Sequence, residues 1–174
     1  FVNDGKSLEM IKDGTLDFVF SFDSLVHAEE DIIEAYLRQL SRKLKPTGIG
    51  FIHHSNAGKY RTYFYLIDKI PRQLRIRNIL MRLGLIEFSE HGRSYTMTAD
   101  KFKMYAERNG LQCISQEIIN WGGKKLIDCI SVFCRKEPGV IYVNKIMRNK
   151  DFMNGVRQIA AISKLYGEKR FKQA

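Results

Sequence analysis

The 174-residue sequence contains no run of about 18 uncharged apolar residues, the length at which a helix begins to span a bilayer, so no membrane span is expected. It has three cysteines, Cys113, Cys129 and Cys134, and no CxxC pair among them. An odd, unpaired set of thiols fits a reduced, cytoplasmic compartment. No HxxxH spacing and no paired acid cluster occurs, so no metal site is expected. There is no internal repeat and no low-complexity tract. Acids are also scarce: 19 Asp and Glu stand against 29 Lys and Arg, a net charge of +10. That balance favours anionic partners or surfaces and says nothing about fold. No charged-then-apolar leader opens the chain. It begins FVNDGKSLEM, the pattern of a strand end and a turn, and the expectation is a stretch cut from a longer sequence.

What is present has a clear order. Leu16 to Phe22 is an apolar run with Phe18, Val19 and Phe20 consecutive, which predicts a strand covered on both faces. Ile32, Ile33, Tyr36, Leu37, Leu40 and Leu44 then recur at helical spacing, with Glu29, Glu30 and Asp31 at the start and Arg42, Lys43 and Lys45 at the end. Both ends suit the helix dipole. Pro46 and Gly48 stop the helix, and GIGFIHHSN reads as the next strand. Strand, helix and strand with short joints form a βαβ unit, so these two strands should be parallel.

Residues 57–92 are basic and aromatic, with helical pieces split by Pro71. They are too long for a plain connection and read as an inserted helical lid. TADKFKMYAERNGL predicts a helix capped by Thr98 and ended by Gly110. LQCISQEIINW and KLIDCISVFCRK, joined through Gly122 and Gly123, predict an antiparallel hairpin. Residues 137–174 read as a basic helical extension with Ile159, Ile162 and Leu165 as an apolar stripe. The fold class is α/β, a doubly wound sheet mixed by a C-terminal antiparallel hairpin, with a helical insert and a helical tail.

Charge is uneven along this order. Residues 59–85 hold seven Lys and Arg and one acid, and residues 137–174 hold eight against three. The insert interleaves Tyr60, Tyr63, Phe64 and Tyr65 with its cations, a composition that suits stacking on nucleic acid bases and equally suits packing of the insert on the body.

DGTLDFVFSFDSLVH followed by YLRQLSRKLKPTGIGFIHHSN resembles the second half of a class I S-adenosylmethionine-dependent methyltransferase, of the type 11 or 12 kind. The elements that carry the resemblance are a strand ending in a polar turn, a helix stopped by Leu44-Lys45-Pro46-Thr47-Gly48, a strand from Ile49 to His53, and a closing antiparallel pair. It covers residues 1–136, a partial Rossmann-like methyltransferase domain. The family's first strand, its GxGxG loop and its ribose-binding acid have no counterpart here. The resemblance therefore implies that S-adenosylmethionine is bound in the complete protein and weakly or not at all by this part. It also implies an unpaired apolar edge on the strand at Leu16–Phe22, which invites a homo-oligomer.

In open α/β sheets ligands sit beyond the carboxyl ends of the strands. By the resemblance, Asn3, Asp4 and Gly5 match an acid-bearing turn that meets the adenine amino group, and Ser21, Phe22, Asp23 and Ser24 match the wall around the methionine end. Two other readings stand beside these: Asn-Asp-Gly as a plain turn, and Asp23 or Ser24 as a helix cap. O-methyl transfer needs a proton removed from the acceptor, a task that suits histidine. His54 is the first candidate base and His27 the second; alternation places His53 and His54 on opposite faces. By the resemblance, Arg93 and Tyr95 lie in a region that faces the acceptor, Arg93 suiting a phosphate or carboxylate; Asn56 at a strand end and Trp121, for sugar stacking, are further candidate acceptor contacts. The expected function is O-methylation of a small polar or sugar-like acceptor. The alternatives are an RNA methyltransferase that uses the basic insert and tail, and a non-catalytic interaction module.

Overall fold

The computed structural model describes residues 5–71, 75–87 and 92–167. The elements run β1 (Leu16–Leu25), α1 (Glu30–Lys43), β2 (Leu44–Ser55), a 3-10 turn (Ala57–Tyr60), α2 (Arg61–Asp68), α3 (Arg75–Arg82), α4 (Ala99–Arg108), β3 (Leu111–Ile119), β4 (Asp128–Arg135), β5 (Lys145–Asn149) and α5 (Phe152–Gly167). The five strands form one mixed sheet in the order β1-β2-β4-β3-β5. β1 is parallel to β2, as the βαβ pattern predicts, and β3 and β4 form the expected antiparallel hairpin. The second strand of that hairpin lies against β2 and is antiparallel to it.

One face of the sheet is built by α1 and α4. Ile33, Leu37 and Leu40 recur at helical spacing and are buried, together with Phe102, Tyr105 and Ala106 of α4. They meet Leu44, Ile52, Leu111 and Phe133 in the main core. Thr98 caps α4 by accepting the Lys101 N–H at 3.1 Å, which satisfies a backbone donor that the helix cannot pair internally. The two helices are tied across their polar sides by Glu30, which accepts from the Tyr105 hydroxyl at 2.9 Å and from the Lys101 ammonium. Gly50 is required on this face: a Cβ there would lie 2.2 Å from the Phe133 ring.

The opposite face corrects the expectation that β1 is covered on both sides. Side chains alternate along a strand, so Val19 packs on the helical core while Phe18 and Phe20 point the other way and are 57% and 63% exposed. Phe20 stacks on Phe51 at 5.3 Å, and Ile49 lies beside them in register with Phe18. A continuous Phe-Val-Phe run reads as doubly buried, yet both helices fall on the same side. β1 is also an edge strand, paired only with β2 among the described residues.

Three boundaries differ from the sequence reading. β2 starts at Leu44 rather than after Gly48. Leu44 pairs with Leu16, and residues 45–48 are then passed over before Phe18 meets Ile49. β1 runs on through Asp23 and Ser24 to Leu25. The tail is not purely helical: Lys145–Asn149 adds β5, parallel to β3, because the outer edge of β3 offers unpaired backbone groups that a neighbouring segment can satisfy. Within residues 57–92 the described helical pieces are the 3-10 turn, α2 and α3. No helix among the described residues is long and apolar enough to cross a membrane.

Candidate functional site

The carboxyl ends of β1 and β2 meet the start of β4, and an interlocked polar cluster forms there. Its origin is a bulge. Between the pairs Ser21–Ile52 and Leu25–His54, β1 carries two residues more than β2, so residues 22–24 bow out of the ladder. Asp23 takes φ +56 there, the one described non-glycine residue in that region, and Asp is among the few side chains that tolerate it. The bulge aims the Asp23 N–H at His53 Nδ1, 3.1 Å away. With Nδ1 accepting, the ring proton sits on Nε2, which faces Asp128 Oδ2 at 3.4 Å. That separation is long for a hydrogen bond.

Arg93 closes the cluster. Its Nε donates to Asp128 Oδ1 at 3.0 Å and its Nη2 to Oδ2 at 2.9 Å, a forked pair. Nη2 also reaches Asp23 Oδ1 at 3.2 Å. The guanidinium lies over the Trp121 ring, 5.3 Å from its centroid. Burial pushes the Asp128 carboxyl up, but the nearby His53 Nε2, the hydrogen bonds from Arg93 and the guanidinium charge outweigh it and hold the pKa below the usual carboxylate value. Phe22, His53 and Trp121 pack in a triangle, with ring centroids 4.7, 5.5 and 6.1 Å apart, and Phe152 stacks on Trp121 at 6.1 Å.

The two adjacent histidines separate as alternation requires, and it is His53, not the candidate base His54, that faces the polar cluster. His54 is fully buried on the helical face, stacked on Phe102 at 4.2 Å. Its Nδ1 is 2.9 Å from the Ser55 carbonyl, to which it donates, and its Nε2 accepts from the Ser131 hydroxyl at 2.8 Å. Burial holds its pKa down to about 4 against the partial opposition of that carbonyl bond. It has no path to an acceptor, which removes the geometry a general base needs. His53 is the imidazole at the site. His27 is exposed on the following segment, with Nδ1 2.8 Å from the Gly92 carbonyl.

The other expected residues divide. Phe22, Asp23, Arg93 and Trp121 come together in the cluster. Ser21 and Ser24 bond to each other, Oγ to Oγ, at 2.8 Å. The cap of α1 is Glu29, so neither Asp23 nor Ser24 serves that purpose. Asn56 is buried and both polar atoms of its amide are engaged, donating to the Leu126 carbonyl at 2.7 Å and accepting the Ala99 N–H at 2.9 Å. It clamps loops and is not presented to a ligand. Arg93 is neutralised by two carboxylates, which corrects its reading as a phosphate or carboxylate receptor. Gly5 has φ +80 and accepts the Tyr36 hydroxyl at 2.8 Å; Asn3 and Asp4 lie outside the described residues. Asp128 was not foreseen. The available signal is an acid opening the otherwise apolar strand DCISVF.

Beside the cluster lies a cleft of about 520 Å³ between α2 and residues 93–96. Arg61, Tyr65 and Asp68 line one wall; Glu29, Tyr95 and Thr96 line the other, and Arg93 borders it. The 93–96 segment is fixed to both strand ends: the Ser94 N–H bonds the Val26 carbonyl at 3.1 Å, and the Ser55 hydroxyl donates to the Ser94 carbonyl at 2.7 Å. Glu29 accepts from the Ser94 and Thr96 hydroxyls. Tyr95 is half-buried against Phe64 at 5.5 Å. Two other clefts, one of about 680 Å³ between α4 and residues 136–146 and one of about 310 Å³ on the open sheet face, lie away from this end. No group of three His, Cys, Asp or Glu gathers as a metal site among the described residues.

No family model matches the chain, and no curated protein matches it. Among solved structures, the chain is similar to the PH0226 protein from Pyrococcus horikoshii OT3, with 18% identity, a TM-score of 0.47, and coverage of 78% of this chain and 58% of that one. It is also similar to PKMT2 from Rickettsia typhi, with 11% identity, a TM-score of 0.44, and coverage of 75% and 37%. The chain thus spans well under two thirds of either protein. Neither likeness is strong enough to bear on what this chain does.

Proposed function

We propose that these residues form the acceptor-side part of an S-adenosylmethionine-dependent methyltransferase that O-methylates a small polar or sugar-like compound. The observation that carries this reading is the cleft at the carboxyl ends of parallel β1 and β2. It is of small-molecule size, and it offers carboxylates, a guanidinium, a hydroxyl and tyrosine rings in one concavity. Those groups suit a polyhydroxylated ligand: carboxylates and Arg61 bond hydroxyls, and Tyr65 and Tyr95 offer ring faces.

S-adenosylmethionine, when bound, supplies an electrophilic methyl group on a sulfonium sulfur. The fit of the present residues to it is one-sided. Phe22 and the Asp23 carboxylate stand exposed at the end of β1 and suit a cationic group. They line none of the three clefts described above. Within this chain, Arg93 fixes the Asp23 carboxylate from behind, and His53 fixes the Asp23 backbone. Neither His53 nor His54 presents a lone pair to the cleft. Orientation of the acceptor hydroxyl is therefore the main contribution of these residues, and Glu29 and Asp68 are the proton-accepting groups that the cleft offers.

The test is transfer of labelled methyl groups, by the protein in its natural length, to a panel of hydroxylated acceptors. Arg61→Ala and Tyr95→Ala should raise the acceptor KM about tenfold or more with donor affinity unchanged. Methylated RNA in place of a small product would select the RNA reading, and turnover indifferent to both substitutions would remove the cleft from the reaction. Calorimetry of residues 1–174 with S-adenosylmethionine should show weak or no binding; micromolar affinity would contradict the one-sided fit.

A second reading has its own observation. The open edge of β1 and the aromatic face beside it favour assembly with another chain, in the first instance a homo-oligomer. A monodisperse monomer in light scattering would rule that out.

A further inference from the structure

The basic insert changes meaning once its packing is known. Its aromatic residues are largely consumed internally. Phe64 is buried, Tyr63 packs edge-on against it at 5.2 Å, and the Lys125 ammonium sits 4.0 Å from the Tyr63 ring centroid. The Tyr63 hydroxyl accepts the Glu87 N–H at 2.8 Å. The large side chains left outside are mostly aliphatic: Leu66, Ile79, Leu83 and Leu85 are 61%, 52%, 65% and 64% exposed, with Tyr65 the exposed aromatic among them at 60%. Ile79 and Leu83 are four residues apart, so they share a helical face. The sequence from 59 to 85 sets seven Lys and Arg against one acid.

We propose that the α2–α3 insert is a docking surface for anionic lipid bilayers. Its charge selects the partner class. A second copy of the same cationic surface would be repelled, whereas a bilayer rich in anionic headgroups is complementary. Its apolar residues select within the anionic class. Leucine and isoleucine do not stack on bases, the interaction that single-stranded nucleic acid sites use, but they enter the headgroup–acyl boundary while flanking Lys and Arg stay at the phosphates. Lys69, over the Tyr65 ring at 5.1 Å, and Arg82, in the last turn of α3, are the described cations assigned that role. Tyr65 also lines the polar cleft, so docking would set the mouth of the cleft at headgroup level. That last consequence, and only that one, rests on the acceptor reading above.

The experiment is flotation of the chain with vesicles of phosphatidylcholine alone and of phosphatidylcholine with about 30% phosphatidylserine. Binding should be roughly tenfold stronger or more on the anionic vesicles and should weaken with added salt. Ile79→Ser with Leu83→Ser should lower it about tenfold, and Arg82→Glu should lower it as well. The substituted apolar positions are exposed, so the circular dichroism melt should stay in place and report that the fold is intact. Equal binding to neutral and anionic vesicles would overturn the proposal. Loss with Arg82→Glu but none with the serine pair would overturn it too, because plain ionic adsorption would then suffice. Tight binding of a single-stranded RNA oligomer with no vesicle binding would assign the surface to nucleic acid instead. None of these measurements involves methyl transfer, so their outcome is separate from the fate of the proposed activity.

Discussion

On the face of the sheet that carries α1 and α4, Phe102, Phe133, Leu37 and Ile52 are buried against one another, and a histidine is buried with them. On the other face, Phe18, Phe20 and Ile49 are just as apolar and stand largely in solvent. His53 and His54 are consecutive, yet His54 belongs to the first face and His53 to the second. The two faces show that side-chain chemistry alone does not define a core. What defines it is the presence of a second layer, and here both helices land on one side. The uncovered face is left apolar and ends, at the carboxyl side, in the Asp23–His53–Asp128–Arg93 cluster.

The contrast can be broken or sharpened by substitution. The largest effect is expected on the covered face. Phe102→Ala should cost about 3–5 kcal/mol in urea denaturation, through lost burial and the cavity left behind. A loss below about 1 kcal/mol would mean that the helical layer is not the stabilising one.

The next effect concerns the histidine on that face. His54 is kept neutral by burial, with its pKa lowered from 6.5 to about 4. The unfolded chain therefore binds a proton in that window that the folded chain does not. Stability is full above pH 6.5 and falls as the pH drops towards 4, by up to about 1.4 kcal/mol per pH unit. Over the whole window that amounts to about 3 kcal/mol. His54→Gln should flatten this limb in denaturation curves measured across the window; an unchanged slope would show that His54 is solvated and that the two faces are less different than the packing implies.

The smallest effect belongs to the open face. Phe20→Ser should change unfolding free energy by less than about 0.5 kcal/mol, because little burial is lost, and should reduce self-association in light scattering if the face is used between copies. A cost near that of Phe102→Ala would mean that the face is covered in solution.

Much of this was legible in advance. The βαβ unit, the helix capped by Thr98 and the β3–β4 hairpin rest on local periodicity and capping chemistry, and these are properties of contiguous residues. The cluster was only half legible. Phe22, Asp23, Arg93 and Trp121 were singled out from strand ends and loop positions. Asp128 was not, because its role depends on Arg93, 35 residues away along the chain. Alternation showed that His53 and His54 face opposite ways, but not which way the helices would fall. β5 was missed for a related reason: KIMRN has no strong strand pattern, and the edge of β3 recruits it.

The sequence by itself determined the elements other than β5, their parallel or antiparallel sense along the first unit and the hairpin, and the positive character of the insert, because each follows from spacing and composition within a short window. Only the tertiary structure decided which face is core, which histidine meets the site, and that Arg93 is bound to carboxylates rather than open to an anion. Those outcomes depend on which distant segments share a volume from which water is excluded, and burial and charge pairing take their meaning only there.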